Sequence, residues 1–177
     1  MDRCELEREL ERLHPACFGW ALSCCEWRRA EAEEVLQDAY LKLLEGKARF
    51  DGRASFKTFL LGVIRLTAHE HLRRWRWRCR RLIAVPDEAS WLDPAQSQEA
   101  DLAQRERAAE LVGALQRLPA RQREVLDLVF YHGLSVREAG EVMRVTTGTA
   151  AAHYDRGKVR LREMLGGRSD RGKGDMR

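Results

Sequence analysis

With 177 residues, the chain is long enough for one ordinary domain or two small ones. The net charge is only +4 although charged residues make up 34% of the sequence, so the placement of the charges matters more than their sum. No apolar run approaches the roughly 18 residues of a membrane span, and the charged N-terminus MDRCELEREL is unlike a secretory signal. These features exclude an integral membrane protein, and we expect a cytoplasmic protein with no membrane insertion. Five cysteines, an odd number, indicate reduced thiols rather than a disulfide framework.

The sequence pattern predicts an all-α protein. Apolar residues recur with the 3.6-residue period of a helix in nearly every segment, and no convincing strand alternation occurs. A first helix is predicted over 5–25 with a break near Pro15. A second runs over 31–44 and is closed by Gly46, with an apolar face of Leu36, Ala39, Tyr40, Leu43 and Leu44. A third begins at Ser55, with Phe56, Phe59, Leu60, Val63 and Thr67 on one side.

The third helix leads into an unusual cluster, WRWRCRR, at residues 75–81. Arg73 to Arg81 contains six arginines and no acidic residue. In a helix, Trp75 and Trp77 lie about 200° apart and cannot share one apolar stripe. In a strand, both indoles would lie on one face and the arginines on the other. Either structure gives a dense positive surface that a polyanion, an acidic protein segment or water would cover.

An acidic stretch follows this cluster. Residues 86–101 contain five acidic residues, two prolines, no basic residue and no helical stripe, which is typical of a linker. We therefore predict a first domain at 1–85, an acidic flexible linker at 86–104, a second domain at 105–165 and a disordered tail at 166–177. The acidic linker could remain a solvated spacer or fold back onto the arginine cluster.

The second domain contains a helix-turn-helix pattern. A helix is predicted between Pro119 and Gly133, which suit a first helical turn and a residue just past a helix end. Ser135 and Glu138 are spaced as a capping box, which starts a short helix with Ala139, Val142 and Met143 buried. A tight turn at 144–145 then leads to a helix that begins near Thr147. The alternative is an ordinary helical hairpin within a bundle.

Sequence motifs for catalysis and metal binding are lacking. The chain has no phosphate-binding Gly-rich loop, no HExxH and no nucleophile elbow, so we do not expect an enzyme. His14, Cys17, Cys24 and Cys25 lie within twelve residues, but their spacing matches no common zinc site. We expect no metal and no cofactor.

Taken together, these segments resemble the sigma-70 family of bacterial transcription initiation factors, in its small extracytoplasmic-function (ECF) group. AEAEEVLQDAYLKLL is similar to the region 2 helix that binds the β′ clamp helices of RNA polymerase, and FDGRASFKTFLLGVIRLTAHEHLRR to the promoter-melting segment. LPARQREVLDLVFYHGLSVREAGEVM and VTTGTAAAHYDRGKVRLREML resemble region 4. The resemblance covers residues 10–165 and implies that the chain binds core polymerase, through the β′ clamp helices and the β flap, and promoter DNA. An anti-sigma factor and an accessory DNA-bound activator are candidate further partners, and the nucleoid of a bacterial cytoplasm is the expected location.

The resemblance also implies three sets of site residues. The set expected to contact core polymerase is Glu33, Glu34, Gln37, Asp38 and Lys42. The set expected to melt and recognise the −10 element is Arg49, Phe50, Asp51, Arg53, Ser55, Lys57, Arg65, His69, Arg73, Arg74 and Arg76. The set expected to recognise the −35 element is Arg144, Thr147, Thr149, His153, Arg156, Lys158 and Arg160.

The −35 segment departs from its family. Related recognition helices have sequences close to GTVKSRLxRAR, whereas this chain has GTAAAHYDRGK. Ala150, Ala151 and Ala152 replace one apolar residue and two polar contacts, His153 replaces an arginine, and Arg144 occupies a turn position where glycine is usual. We therefore predict weak −35 recognition.

Two other function classes fit parts of the sequence. In a stand-alone transcriptional regulator, the helix-turn-helix would do all the DNA recognition and the N-terminal half would be an interaction module. A protein-interaction adaptor would bind neither polymerase nor DNA.

Overall fold

The computed structural model describes residues 2–79 and 110–169, with side chains at 2–74 and 110–165. Every regular element in these two ranges is a helix, which confirms the all-α prediction. The elements are α1 (Arg3–Cys24), α2 (Arg29–Leu44), α3 (Phe56–Cys79), α4 (described over 110–116), α5 (Ala120–Phe130), α6 (Val136–Met143) and α7 (Thr147–Ser169). The chain forms two compact units. None of the described helices combines the length and the apolarity needed to cross a membrane.

The first unit is a bundle in which α1, α2 and α3 each pack against the other two. Its largest core side chain is Trp20, which is fully buried and donates its indole N–H to the Leu61 carbonyl at 3.0 Å. That bond satisfies the one polar atom that the indole brings into an apolar core. Around it lie buried aliphatic and small residues of all three helices, among them Val35, Leu60 and Ile64.

α1 runs without a break through Pro15, so the predicted interruption is wrong. Proline in a helix interior removes a backbone hydrogen bond at a cost of about 3 kcal/mol. Leu10 and Leu13 on one side of Pro15, and Cys17 and Trp20 on the other, are all buried within this one helix. Each fully buried large side chain contributes roughly 1.5–3 kcal/mol, so tertiary packing outweighs the local cost.

The ends of α2 and α3 follow the sequence signals. Gly46 has a φ of +71° just after α2, the left-handed conformation that favours glycine at a helix end. Ser55 precedes α3, and its hydroxyl accepts the backbone N–H of Thr58 at 3.0 Å. The backbone of α3 is helical as far as Cys79, so the helical interpretation of WRWRC is confirmed for residues 75–79.

The second unit contains the predicted helix-turn-helix, with α5 packed on α7. The capping box is confirmed, because the Glu138 carboxylate accepts the Ser135 backbone N–H at 2.8 Å and the Ser135 hydroxyl accepts the Glu138 N–H at 3.2 Å. Gly133 has a φ of +67°, as its place after α5 predicts. Ala139, Val142 and Met143 are buried, also as predicted.

Several sequence predictions fall outside the described residues. They are the acidic linker at 86–104, both domain boundaries beside it, and Arg80 and Arg81 of the arginine cluster. At the C-terminus, α7 continues to Ser169 and so includes the first four residues of the segment predicted to be disordered, while 170–177 lie outside.

Candidate protein-binding and nucleic-acid-binding surfaces

The solvent-facing side of α2 combines acidic and apolar side chains. Glu33, Glu34 and Gln37 are exposed, and Arg29 pairs with Glu33 at 2.9 Å. Leu44 was predicted to lie in the apolar core, but it is 40% exposed, and Leu41 is 44% exposed. The buried stripe of α2 is Ala32, Val35, Leu36, Ala39 and Leu43. Leu41 is therefore a surface residue beside the acidic side chains, which the apolar pattern of the sequence did not indicate.

Two members of the predicted polymerase-contact set are bonded to α3. The Asp38 carboxylate lies 2.7 Å from Nε2 of His71. The Lys42 ammonium donates to the Glu70 carboxylate at 2.7 Å and to the Thr67 hydroxyl at 3.0 Å. Glu34 lies 4.0 Å from His71 Nδ1 and its side chain remains 71% exposed. Asp38 and Lys42 thus differ from Glu34, because each is held by a partner within the protein.

The loop between α2 and α3 exposes its charged residues and anchors its aromatic one. Arg49, Asp51 and Arg53 are exposed, and the Asp51 carboxylate pairs with Arg53 at 3.2 Å. The Phe50 ring lies 5.5 Å from the Phe56 ring and 5.4 Å from the Phe59 ring, measured between centroids. Aromatic pairs at these separations are mutually attractive. The three rings therefore fix the loop against the first turn of α3.

The basic residues predicted along α3 do not all lie on its surface. His69, Arg73 and Arg74 are exposed, and Lys57 is half-buried in the first turn. Arg65 is only 3% exposed, so its placement on a phosphate-binding track is wrong for this structure. Leu61 and Ala68, one turn before and one turn after Arg65 on α3, are fully buried, so Arg65 lies on the core side of the helix. The side chain of Arg76 is not described.

The predicted −35 residues lie on more than one side of α7. Thr149, Arg156 and Arg160 are exposed, and the helical period of 3.6 residues per turn places them within about 40° of one another around the axis. Thr147 and Lys158 lie roughly 180° away by the same arithmetic. Lys158 packs its ammonium 4.4 Å from the centroid of the Tyr154 ring. His153 is half-buried, and its Nδ1 is buried without a hydrogen-bond partner.

The turn into α7 is backbone-strained at Arg144. Its φ is +55°, which costs a non-glycine residue about 1 kcal/mol or more. The Arg144 side chain is exposed.

Ala150 is fully buried opposite Gly140, where a Cβ built on the glycine would lie 3.4 Å from the alanine Cβ. The small residue at 150 is therefore matched to a close approach of α6 and α7.

Family comparisons match both units. The family "Sigma-70 region 2" matches residues 10–78, and "Sigma-70, region 4" matches residues 108–161. The ECF RNA polymerase sigma factor SigX of Bacillus subtilis (strain 168) is 29% identical over 137 residues, which cover 76% of this chain and 71% of SigX. The chain belongs to the sigma-70 family, in its ECF subfamily.

Solved structures agree with this assignment. The sigma factor RpoE from Bartonella quintana, solved with the anti-sigma factor NepR, matches with a TM-score of 0.76 and 26% identity over 91% of this chain and 96% of that one. CnrH, solved with the cytosolic domain of CnrY, matches with a TM-score of 0.66 and 17% identity over 94% and 90% of the two chains, which shows the shared fold alone. Sigma-70 factors are transcription initiation factors rather than enzymes, and they bind core RNA polymerase and promoter DNA.

This sigma factor also carries exposed aromatic residues that the sequence analysis did not select. Phe130 and Tyr131, at the end of α5, are 65% and 69% exposed. The Phe130 ring stacks on Tyr154 of α7 at 5.9 Å between centroids. Their signal in the sequence was weak, because Phe130 ends an apolar helix and Tyr131 follows it, so both residues continue the apolar pattern of its core.

Cys17 and Cys25 of the sigma factor are buried thiols. Burial raises the pKa of Cys17 to about 11, opposed by a hydrogen bond with Tyr40, and raises that of Cys25 to about 12. His14 contributes its Nδ1 to a 3.3 Å contact with the Tyr40 hydroxyl. Within the described residues, no three His, Cys, Asp or Glu side chains are grouped to hold a metal ion.

We therefore expect selective alkylation of the cysteines. At pH 7.5, iodoacetamide should modify exposed Cys4 readily and spare Cys17 and Cys25, because their raised pKa values lower the thiolate fraction about 100-fold for Cys17 and about 1,000-fold for Cys25. Peptide mass spectrometry over a time course measures this. In denaturant all three should react alike. Reaction of Cys17 as fast as Cys4 in the folded protein would contradict the raised pKa.

Proposed function

We propose that the first unit of this sigma factor binds core RNA polymerase and opens the −10 element, while the second unit recognises the −35 element. The proposed boundaries are 1–85 for the first unit, 86–104 for a linker and 105–165 for the second. The observation that carries the proposal is the division of one small bundle into two chemically different surfaces. Its α2 face is acidic and apolar, and its α2–α3 loop and α3 surface carry exposed basic residues.

The α2 face suits a protein partner. Glu33, Glu34 and Gln37 lie one to two turns before the exposed Leu41 on α2, so an apolar contact at Leu41 would have polar residues beside it. Acidic residues also repel DNA, which makes this side of the bundle unsuitable for a nucleic-acid contact. We infer that it binds the clamp helices of the β′ subunit. The second unit is proposed to contact the β flap.

The loop and α3 suit single-stranded promoter DNA. Arg49 and Arg53 extend into solvent beside a fixed aromatic cluster, and His69, Arg73 and Arg74 continue the positive surface along α3. Arginines bind phosphates, while a rigid loop can hold an unstacked base. Phe50 supports the loop through its ring contacts, and Asp51, Ser55 and Lys57 complete the proposed −10 surface. Arg76 remains a proposed member, whereas the buried Arg65 does not.

In the second unit, the N-terminal end of α7 is proposed to enter the major groove. Thr149 and Arg156 share one exposed stripe and are the strongest candidates for base and phosphate contacts. Thr147, Arg144 and Lys158 would reach the DNA backbone from other sides, and Arg160 extends the stripe. His153 is proposed as a weaker contact because it is half-buried.

Regulatory partners follow by analogy. RpoE of Bartonella quintana was solved with an anti-sigma factor. We propose that this chain can also be held by an anti-sigma factor and can be assisted by an activator bound to DNA, in the nucleoid of a bacterial cytoplasm.

Run-off transcription with purified core polymerase tests the proposed function. The full chain should bind core tightly, bind duplex promoter DNA poorly on its own, and direct initiation from specific fragments of its genome. A stand-alone regulator would instead retard duplex DNA without polymerase. Failure to bind either core or DNA would favour an adaptor. Either result would overturn the proposal.

The α3 arginines give a more specific expectation. Replacing Arg73 and Arg74 by Ala should lower open-complex formation and reduce the salt slope of promoter binding by roughly two units, about one for each lost phosphate contact. The matched control removes two exposed arginines from α1, Arg3 and Arg8, and should leave the slope unchanged. The measurement is holoenzyme binding to a promoter fragment across a salt series. Equal salt slopes for the two variants would show that Arg73 and Arg74 of α3 do not contact the DNA.

A further inference from the structure

A polar seam joins the exposed half of α2 to α3. On one turn of α2, the Asp38 carboxylate is held by His71 at 2.7 Å. On the next turn, Lys42 is held by Glu70 at 2.7 Å and by Thr67 at 3.0 Å. Asp38 and Lys42 are four apart on α2, and Thr67 and His71 are four apart on α3, so the two links lie one turn apart between the same two helices. They are ion pairs or hydrogen bonds between different helices, separated by 33 and 28 residues along the chain.

The exposure of these side chains separates residues that are available to a partner protein from residues that hold α2 on α3. Glu34 is 71% exposed, whereas His71 is 22% exposed and Lys42 is 30% exposed. Asp38 is intermediate at 42%, with one oxygen bonded to His71. A partner protein that used Asp38 or Lys42 directly would have to compete with, or share, an existing bond at 2.7 Å. Glu34 and Leu41 carry no such cost.

We propose that His71 is a positioning residue for the polymerase-binding face of α2, and that it acts through Asp38. The ion pair of Lys42 and Glu70 is the second link of the same polar seam. The seam fixes the rotation of α2 on α3, so that Glu34, Gln37 and Leu41 face outward together. In this proposal, Asp38 and Lys42 hold α2 in position and do not contact polymerase directly, unlike the role first expected for them. This inference rests on the proposed function of the α2 face.

The seam also accounts for the charges that face His71. Glu34 at 4.0 Å and Asp38 at 2.7 Å are both acidic, and each lies on α2. Without the imidazole, the Asp38 carboxylate would lose its bond to α3, with the exposed Glu34 carboxylate one helical turn away on α2. Loss of His71 therefore leaves Asp38 free to turn outward, which changes the arrangement of the acidic face without removing any of its members.

A set of full-length variants with core polymerase tests this role. His71→Leu should weaken binding to core by roughly fivefold, the size expected for losing one partly exposed bond to a carboxylate. His71→Gln, which keeps a donor, should stay within about twofold of the parent protein. In an Asp38→Ala background, His71→Leu should have little further effect, because its partner is already absent. The exchanged pair Asp38→His with His71→Asp should recover part of the lost affinity.

The matched control is His14→Leu. His14 also contacts α2, through the Tyr40 hydroxyl at 3.3 Å, but on the side that faces α1. His14→Leu should bind core with an affinity within about twofold of the parent protein. A general loss of helix packing would lower the thermal unfolding midpoint of both leucine variants. Should His71→Leu fail to fold, the glutamine variant and the exchanged pair still decide the matter.

The outcomes are distinct. Unchanged core affinity in His71→Leu overturns the inference. The inference also fails if His71→Leu lowers core affinity by the same factor in the parent protein and in the Asp38→Ala background, since His71 would then not act through Asp38. Glu34→Lys in the same assay separates failure of the positioning role of His71 from failure of the proposed function. If the parent protein does not bind core, the proposed function fails. If Glu34→Lys weakens binding while the His71 variants do not, only the positioning role fails.

Discussion

Combining Glu34→Lys with Leu41→Ala should weaken binding to core polymerase about 30-fold or more, equivalent to about 2 kcal/mol. The charge reversal replaces a favourable contact by a repulsive one, and the truncation removes the exposed apolar side chain beside it. Neither residue belongs to the buried stripe of α2. The thermal midpoint should therefore stay within about 2 °C of the parent value. Fluorescence titration of core with labelled sigma factor measures the affinity.

Glu11→Lys on α1 is the matched control, because it reverses the charge of an exposed glutamate on another helix. It should bind core as the parent does. Asp38 is left intact in the test variant, since changing it would also break its bond to His71 and mix two effects. Parent-like affinity in a folded Glu34→Lys, Leu41→Ala protein would show that polymerase binds elsewhere.

The fold was predictable where local chemistry decides it. The capping box of Ser135 and Glu138 and the left-handed glycines at 46 and 133 are signals confined to a few residues, and each appears in the structure as expected. The order and approximate bounds of α1, α2 and α3 follow from the periodicity of apolar residues in the same way.

Local preference is misleading where distant packing overrides it. Pro15 should break a helix, but the burial of residues on both sides of it keeps α1 continuous. Leu44 was assigned to the apolar face of α2 but is 40% exposed, whereas Ala32 and Val35, which the predicted face left out, are fully buried. The buried stripe is therefore rotated from the predicted one, and this rotation exposes Leu44.

Site residues were harder to predict because a charge in the sequence carries no information about its partner. Arg65 and Arg73 look alike in an arginine-rich helix, but one is 3% exposed and the other lies on the surface. Asp38 and Glu34 likewise look equivalent on the acidic face. Only the position of α3 shows that His71 holds the first and leaves the second exposed.

Initiation by this sigma factor should tolerate single substitutions in the −35 element, with losses of about threefold or less, while −10 substitutions should cost tenfold or more. The reason lies in the first turns of α7. Ala151 and Ala152 offer no polar group to a base, and each good bidentate contact is worth about 1–3 kcal/mol of discrimination. The half-buried His153, with Nδ1 enclosed, is a poor substitute for an arginine. Promoter choice would then depend on the −10 element or on a DNA-bound partner.

Restoring the missing contacts provides the converse test. Ala151→Lys with His153→Arg should strengthen promoter binding by roughly tenfold and make initiation less dependent on an accessory partner. The matched control, Val159→Lys with Glu163→Gln, adds the same charge farther along α7, at exposed positions away from the helix end that enters the groove. It should raise affinity without raising −35 discrimination. Run-off transcription from promoters with single −35 changes, using core and each variant alone, measures both quantities. If −35 changes abolish initiation by the parent protein as fully as −10 changes do, then Thr149 and Arg156 recognise the element without help from the residues that the alanines replace.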